Sequence, residues 1–162
     1  MDLEHKNGTD VTSYIVFPID RNIIPHFLPR PKEWEKYDDN CDRGDIKLND
    51  NVLNRILSFS KIKIERRSKD FNIHHIKYNF DDNDNPYTID EHQDWCKFTI
   101  IVYLNKSKEV RDEFWVEGTR VKEDVWDRSE STYKCLAFWG NASHYGKIYG
   151  KGKREILCFF FD

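Results

Sequence analysis

Three side chains of metal-ligand type stand at spacings that suit one ion. His92 and Asp94 lie two residues apart in the run His92-Gln93-Asp94, and His144 follows far downstream. In an extended chain, residues two apart project to the same side, so the imidazole and the carboxylate can reach a common point. Two histidines and one carboxylate on one face of an octahedron leave the remaining positions open, which is the ligand set of non-haem iron(II) oxygenases. The expected metal ligands and catalytic centre are therefore His92, Asp94 and His144. The competing reading of His92 is a solvent-facing histidine in an acidic loop, since the chain holds 6 His and 29 Asp plus Glu and a chance pair is ordinary.

The elements that must position these residues are mostly strands. Residues 97–105, KFTIIVYLN, form the strongest strand pattern, with Phe98, Ile100, Val102 and Leu104 on one face and Thr99, Ile101 and Tyr103 on the other. Ile76, Tyr78 and Phe80 alternate with Lys77 and Asn79, as in a half-buried strand. Further strands are expected at 113–117, 133–139 and 155–161, and an early one at 14–19. The acidic segment 37–45, the DDNDNP run at 81–86 and the segment carrying His144 read as loops. One helix is expected after Asp50 as its cap, because Val52, Leu53, Ile56 and Leu57 recur at helical spacing and would pack on a sheet. Helix signal in the first half and many short strands in the second predict a mostly-β jelly-roll with a flanking helix in the N-terminal part.

Further residues tie the triad to a wider pattern. After His92-Gln93-Asp94 comes Thr99-Ile-Ile-Val-Tyr103-Leu-Asn105, and then His144-Tyr-Gly146-Lys-Ile-Tyr-Gly-Lys-Gly152-Lys-Arg154. Over residues 71–162 the sequence resembles the prolyl 4-hydroxylase-like branch of the iron(II)- and 2-oxoglutarate-dependent dioxygenases, whose HxD, Tyr-Leu-Asn strand and distal His-x-Gly-x5-Gly-x-Arg run in this order. The resemblance implies a double-stranded β-helix (jelly-roll) core. It implies Fe(II), 2-oxoglutarate as co-substrate and O2, with ascorbate admitted as a reductant. The co-substrate would chelate iron through its keto oxygen and near carboxylate, and its far carboxylate would meet Arg154, whose guanidinium matches a carboxylate bidentately. Tyr103 and Thr99 would line the same pocket, although both also suit a plain core. Lys153 is the alternative to Arg154. Gly146 and Gly152 would let the backbone turn between His144 and Arg154.

The sequence departs from that family in two places. Ile89 stands where many members carry a Tyr three residues before the first ligand, leaving Tyr87 or Tyr78 to substitute. The Gly-Gly that commonly follows the Tyr-Leu-Asn strand is replaced near Asp112-Glu113-Phe114. Trp95, Trp115 and Trp139 read as packing residues, and His74 and His75 as structural or exposed.

Composition bounds the rest. With 162 residues, 38% hydrophobic, 15% aromatic and 34% charged, the chain suits one soluble domain over 1–162, an N-terminal support region of about 1–70 leading into a catalytic core of about 71–162. A net charge of −3 disfavours a nucleic-acid partner. The four cysteines lack zinc-like spacing, the first residues are polar, and no apolar run has membrane length, so a cytoplasmic protein without a membrane partner is expected. The resemblance implies hydroxylation of a C–H bond of a peptidyl side chain, prolyl or lysyl, with release of succinate and CO2. A small metabolite or nucleobase is the alternative substrate, and a non-catalytic jelly-roll binding module the alternative class.

Overall fold

The computed structural model describes residues 13–25, 28–60, 72–81, 85–127 and 131–161. In chain order these form β1 (Ile15–Asp20), β2 (Glu35–Asp38), β3 (Cys41–Ile46), α1 (Asp50–Ser60), β4 (Asn72–Phe80), β5 (Tyr87–His92), β6 (Phe98–Lys106), β7 (Arg111–Val116), β8 (Thr119–Arg120), β9 (Thr132–Trp139), β10 (His144–Tyr149) and β11 (Gly152–Phe161). A 3-10 turn at Glu123–Trp126 precedes β9.

The strands build two antiparallel sheets. The larger has the order β1-β9-β6-β11-β4-β3-β2, and the smaller β5-β10-β7-β8. From β4 onward the chain passes back and forth between them: β4, β6, β9 and β11 lie in the larger sheet, and β5, β7, β8 and β10 in the smaller. This is a jelly-roll, as the strand-rich second half predicted. The first three strands extend the larger sheet at both ends, with Pro18 tolerated because β1 is an edge strand.

The packing of β6 explains why its sequence reads as apolar throughout. Phe98, Ile100, Val102 and Leu104 face the helix side and pack with Leu53 and Ile56 of α1, with Ile15, Phe17 and Ile19 of β1, and with Phe159. Ile101 and Tyr103 face the space between the sheets, against Phe114 and Val116 of β7, Leu136 and Phe138 of β9, and Ile156 and Cys158 of β11. Both faces of β6 are therefore buried, and the site lies on the second.

Several expectations need correction. The helix cap is Asn49, whose Oδ1 accepts the Val52 N–H at 3.0 Å, while Asp50 opens the first turn. The acidic segment at 37–45 is largely the β2–β3 hairpin, with Asp38 Oδ1 accepting the Asn40 N–H at the turn. The segment carrying His144 is a strand, β10, paired on both sides. Of the loop at 81–86, residues 82–84 lie outside the described residues. No helix among the described residues is long and apolar enough to cross a membrane.

Candidate metal centre

Strand pairing brings the two histidines together. His92 ends β5 and His144 begins β10, and the two are direct partners across that ladder, with ring centroids 4.3 Å apart. Asp94 lies just beyond β5 rather than within a strand, and its position is set by backbone bonding. Its N–H donates to the Gly140 carbonyl at 2.7 Å, and the Gly140 N–H donates to Lys97 O at 2.9 Å. A Cβ at Gly140 would stand 2.0 Å from the Cys96 carbonyl oxygen, so only glycine permits this close approach.

The donor atoms converge. Asp94 Oδ1 is 3.5 Å from His92 Nε2 and 3.4 Å from His144 Nε2, and all three ligand atoms lie within 4.8 Å of one another. Adjacent ligands on an octahedral ion with bonds of about 2.1 Å stand roughly 3 Å apart, so modest contraction would close the set. Each imidazole is held by a backbone carbonyl. Nδ1 of His92 donates to Asp90 O at 2.7 Å and Nδ1 of His144 to Ala142 O at 2.8 Å, which leaves each Nε2 as the nitrogen that could ligate an ion.

Asp94 is prepared in the same way. Thr99 Oγ1 donates to its Oδ2 at 2.7 Å, which leaves Oδ1 toward the histidines. Burial works to raise the Asp94 carboxyl, but hydrogen bonds with His144, His92 and Thr99 outweigh it and hold the group below the usual carboxylate range. His92 is shifted upward by its bond to Asp94, against partial burial. His144 is 4% exposed and packed by Phe138 and Phe114, whereas His92 is 47% exposed. The centre is anchored inside and open at one side. Trp95, expected to pack, is fully exposed next to Asp94.

Arg154 occupies the other end of the same inter-sheet space. It is buried, while its neighbour Lys153 is exposed. Its Nε and Nη2 donate to Asp112 Oδ2 at 3.2 and 3.0 Å, and the Trp126 Nε1–H donates to the same oxygen at 2.9 Å. The guanidinium lies 4.8 Å from the Tyr78 ring centroid and 5.5 Å from that of Trp126. Tyr103 packs edge-on against Trp126 at 4.7 Å, and burial raises its phenol well above the ordinary value.

The expected pocket residues thus divide. Tyr103 stands with Arg154, while Thr99 stands under Asp94 at the triad, about 13 Å away along β6. Of the two tyrosines that could stand in for the one missing at Ile89, Tyr78 lies against Arg154, and Tyr87 donates its hydroxyl to Asp38 Oδ2. Gly146 lies within β10, and the turn before Arg154 instead uses Gly150 and Gly152, at φ 93° and 140°. His74 and His75 pair with Asp45 and Glu155, away from the triad. Asp112 and Trp126 are partners of Arg154 that no sequence pattern pointed to. The first left a signal in β7, where a carboxylate shares the inward face with Phe114 and Val116.

No family model matches the sequence, and no curated protein matches it. Among solved structures, a candidate oxygenase from Shewanella oneidensis is similar at 12% identity and TM-score 0.50, covering 92% of this chain and 81% of that one. A 2OG-Fe(II) oxygenase family oxidoreductase from Burkholderia pseudomallei is similar at 12% identity and TM-score 0.49, over 87% and 74% of the two chains. KdgF from Halomonas sp. is similar at 12% identity and TM-score 0.46, over 80% and 84%. At 12% identity the likeness to the Shewanella oneidensis structure is one of fold alone.

Proposed function

We propose that the protein is an iron(II)- and 2-oxoglutarate-dependent dioxygenase that hydroxylates a C–H bond, with a peptidyl side chain of prolyl or lysyl type as substrate. The observation that carries this reading is the triad, with both Nδ1 atoms tied to carbonyls and Asp94 Oδ2 tied to Thr99, so that three donor atoms face one point. His92, Asp94 and His144 would hold Fe(II). Arg154, whose Nη1 has no hydrogen-bond partner among the described residues, would hold the far carboxylate of 2-oxoglutarate. When bound, the ferrous ion and the 2-oxo acid together supply oxygen activation, releasing succinate and CO2 as one oxygen atom enters the substrate.

The chain's own residues do the rest. The two backbone carbonyls fix the imidazole orientations, and Thr99 fixes the carboxylate. Ile101, Phe114, Leu136, Phe138 and Ile156 belong to one buried apolar cluster between the sheets, and such surroundings exclude water and strengthen charge interactions. The open side at His92 and Trp95 supports a substrate that approaches from solvent, as an extended peptide can.

The test is oxygen- and 2-oxoglutarate-dependent succinate release from protein loaded anaerobically with Fe(II), measured with and without a peptide panel. Succinate that depends on iron, accompanied by a gain of one oxygen atom in mass on a peptide, is the expected result. No succinate from protein shown to hold iron and 2-oxoglutarate would overturn the proposal.

A further inference from the structure

The Arg154 anchor is not a lone cation. Asp112 is buried beside it, and the ion pair spans 3.0 Å with side-chain exposures of 2% for Arg154 and 3% for Asp112. One carboxylate oxygen, Oδ2, takes three N–H donors: two from Arg154 and one from Trp126. Two buried polar atoms of the pair are left without a hydrogen-bond partner among the described residues, the donor Arg154 Nη1 and the acceptor Asp112 Oδ1. Unsatisfied buried polar groups are uncommon and costly, so two of them on one ion pair leave hydrogen-bonding capacity that a ligand can meet.

Their types specify its chemistry. A carboxylate tail satisfies Nη1 but brings a second negative charge beside Asp112 and can donate nothing to Oδ1. A carboxamide tail accepts from Nη1 and has N–H groups to donate to Oδ1. We propose that Asp112 sets the tail selectivity of the co-substrate site: by making the Arg154 anchor electroneutral, it lets the site take a 2-oxo acid ending in a carboxamide at least as well as one ending in a carboxylate. This rests on the proposed 2-oxo acid site. Asp112 is a specificity-determining residue there, and Trp126 holds it in place.

The experiment is calorimetric binding of 2-oxoglutarate and of 2-oxoglutaramate, its carboxamide counterpart, to Mn(II)-loaded protein without oxygen, with the amide's affinity referred to its open-chain fraction because its amide nitrogen closes on the keto carbon in solution. Wild type should bind the two within about three-fold, or favour the amide. In Asp112→Asn the guanidinium charge is uncompensated, and 2-oxoglutarate should be favoured by about ten-fold or more, as expected for a close charge pair. Should Asp112→Asn fail to fold, the wild-type ratio decides alone. A wild-type preference for 2-oxoglutarate above about ten-fold overturns the selectivity proposal and leaves the co-substrate reading standing. Binding of Mn(II) with neither 2-oxo acid bound overturns both.

Discussion

Replacing Thr99 by Val separates the two roles open to that residue. The hydroxyl is buried, and it donates to Asp94 Oδ2 at 2.7 Å with Cys96 Sγ 3.3 Å away. Valine keeps the shape and removes the donor, which leaves Oδ2 of a largely buried carboxylate without this bond. A hydrogen bond to a charged group contributes about 1.5–3 kcal/mol, and loss of a group that orients a ligand typically weakens metal binding by about 10–100-fold. Thr99→Val should therefore bind Mn(II) at least about ten-fold more weakly in anaerobic calorimetry. At saturating Mn(II), 2-oxoglutarate affinity should change by less than about three-fold, because Arg154 and Tyr103 are untouched. Unchanged Mn(II) affinity together with a ten-fold loss of 2-oxoglutarate binding would refute this reasoning and put Thr99 in the co-substrate pocket.

Three further outcomes follow from the same geometry. Arg154→Ala should abolish measurable 2-oxoglutarate binding and also destabilise the fold by about 3–5 kcal/mol, since Asp112 is left buried and unpaired; thermal melting of this variant beside Arg154→Leu/Asp112→Leu, which should recover stability without recovering binding, checks both. Tyr103→Phe should weaken 2-oxoglutarate binding by about ten-fold with Mn(II) affinity unchanged, whereas a residue that only fills the core would alter the melting temperature alone. Gly140→Ala should push the Cys96 carbonyl away and displace Asp94, so Mn(II) binding should fall with stability, and unchanged Mn(II) affinity would show that the close approach does not position the ligand.

Strands β4 and β6 were legible in the sequence, β4 by its two-residue alternation and β6 by its unbroken run of apolar, β-branched and aromatic residues. The three residues that the fold brings together, His92, Asp94 and His144, were legible because HxD and a distal His are a short pattern. What stayed hidden depends on contacts distant in sequence. β10 reads as a polar, glycine-containing stretch, and it is a strand because β5 and β7 pair with it on either side. The β2–β3 hairpin is acidic and exposed on most positions, with pairing to β4 supplying what propensity does not. Asp112 and Trp126 come from separate segments and meet Arg154 only in the folded chain, so no spacing rule connects them.

The triad itself is tested most directly by metal stoichiometry. Titration of metal-free protein with Mn(II), followed by electron paramagnetic resonance of the free ion, should show one tight equivalent for wild type. His144→Ala should show none, and His74→Ala, which lies away from the triad, should match wild type. Absence of a tight site in folded wild type, or a His144→Ala variant that binds as wild type does, would contradict the assignment of His92, Asp94 and His144 as a metal centre.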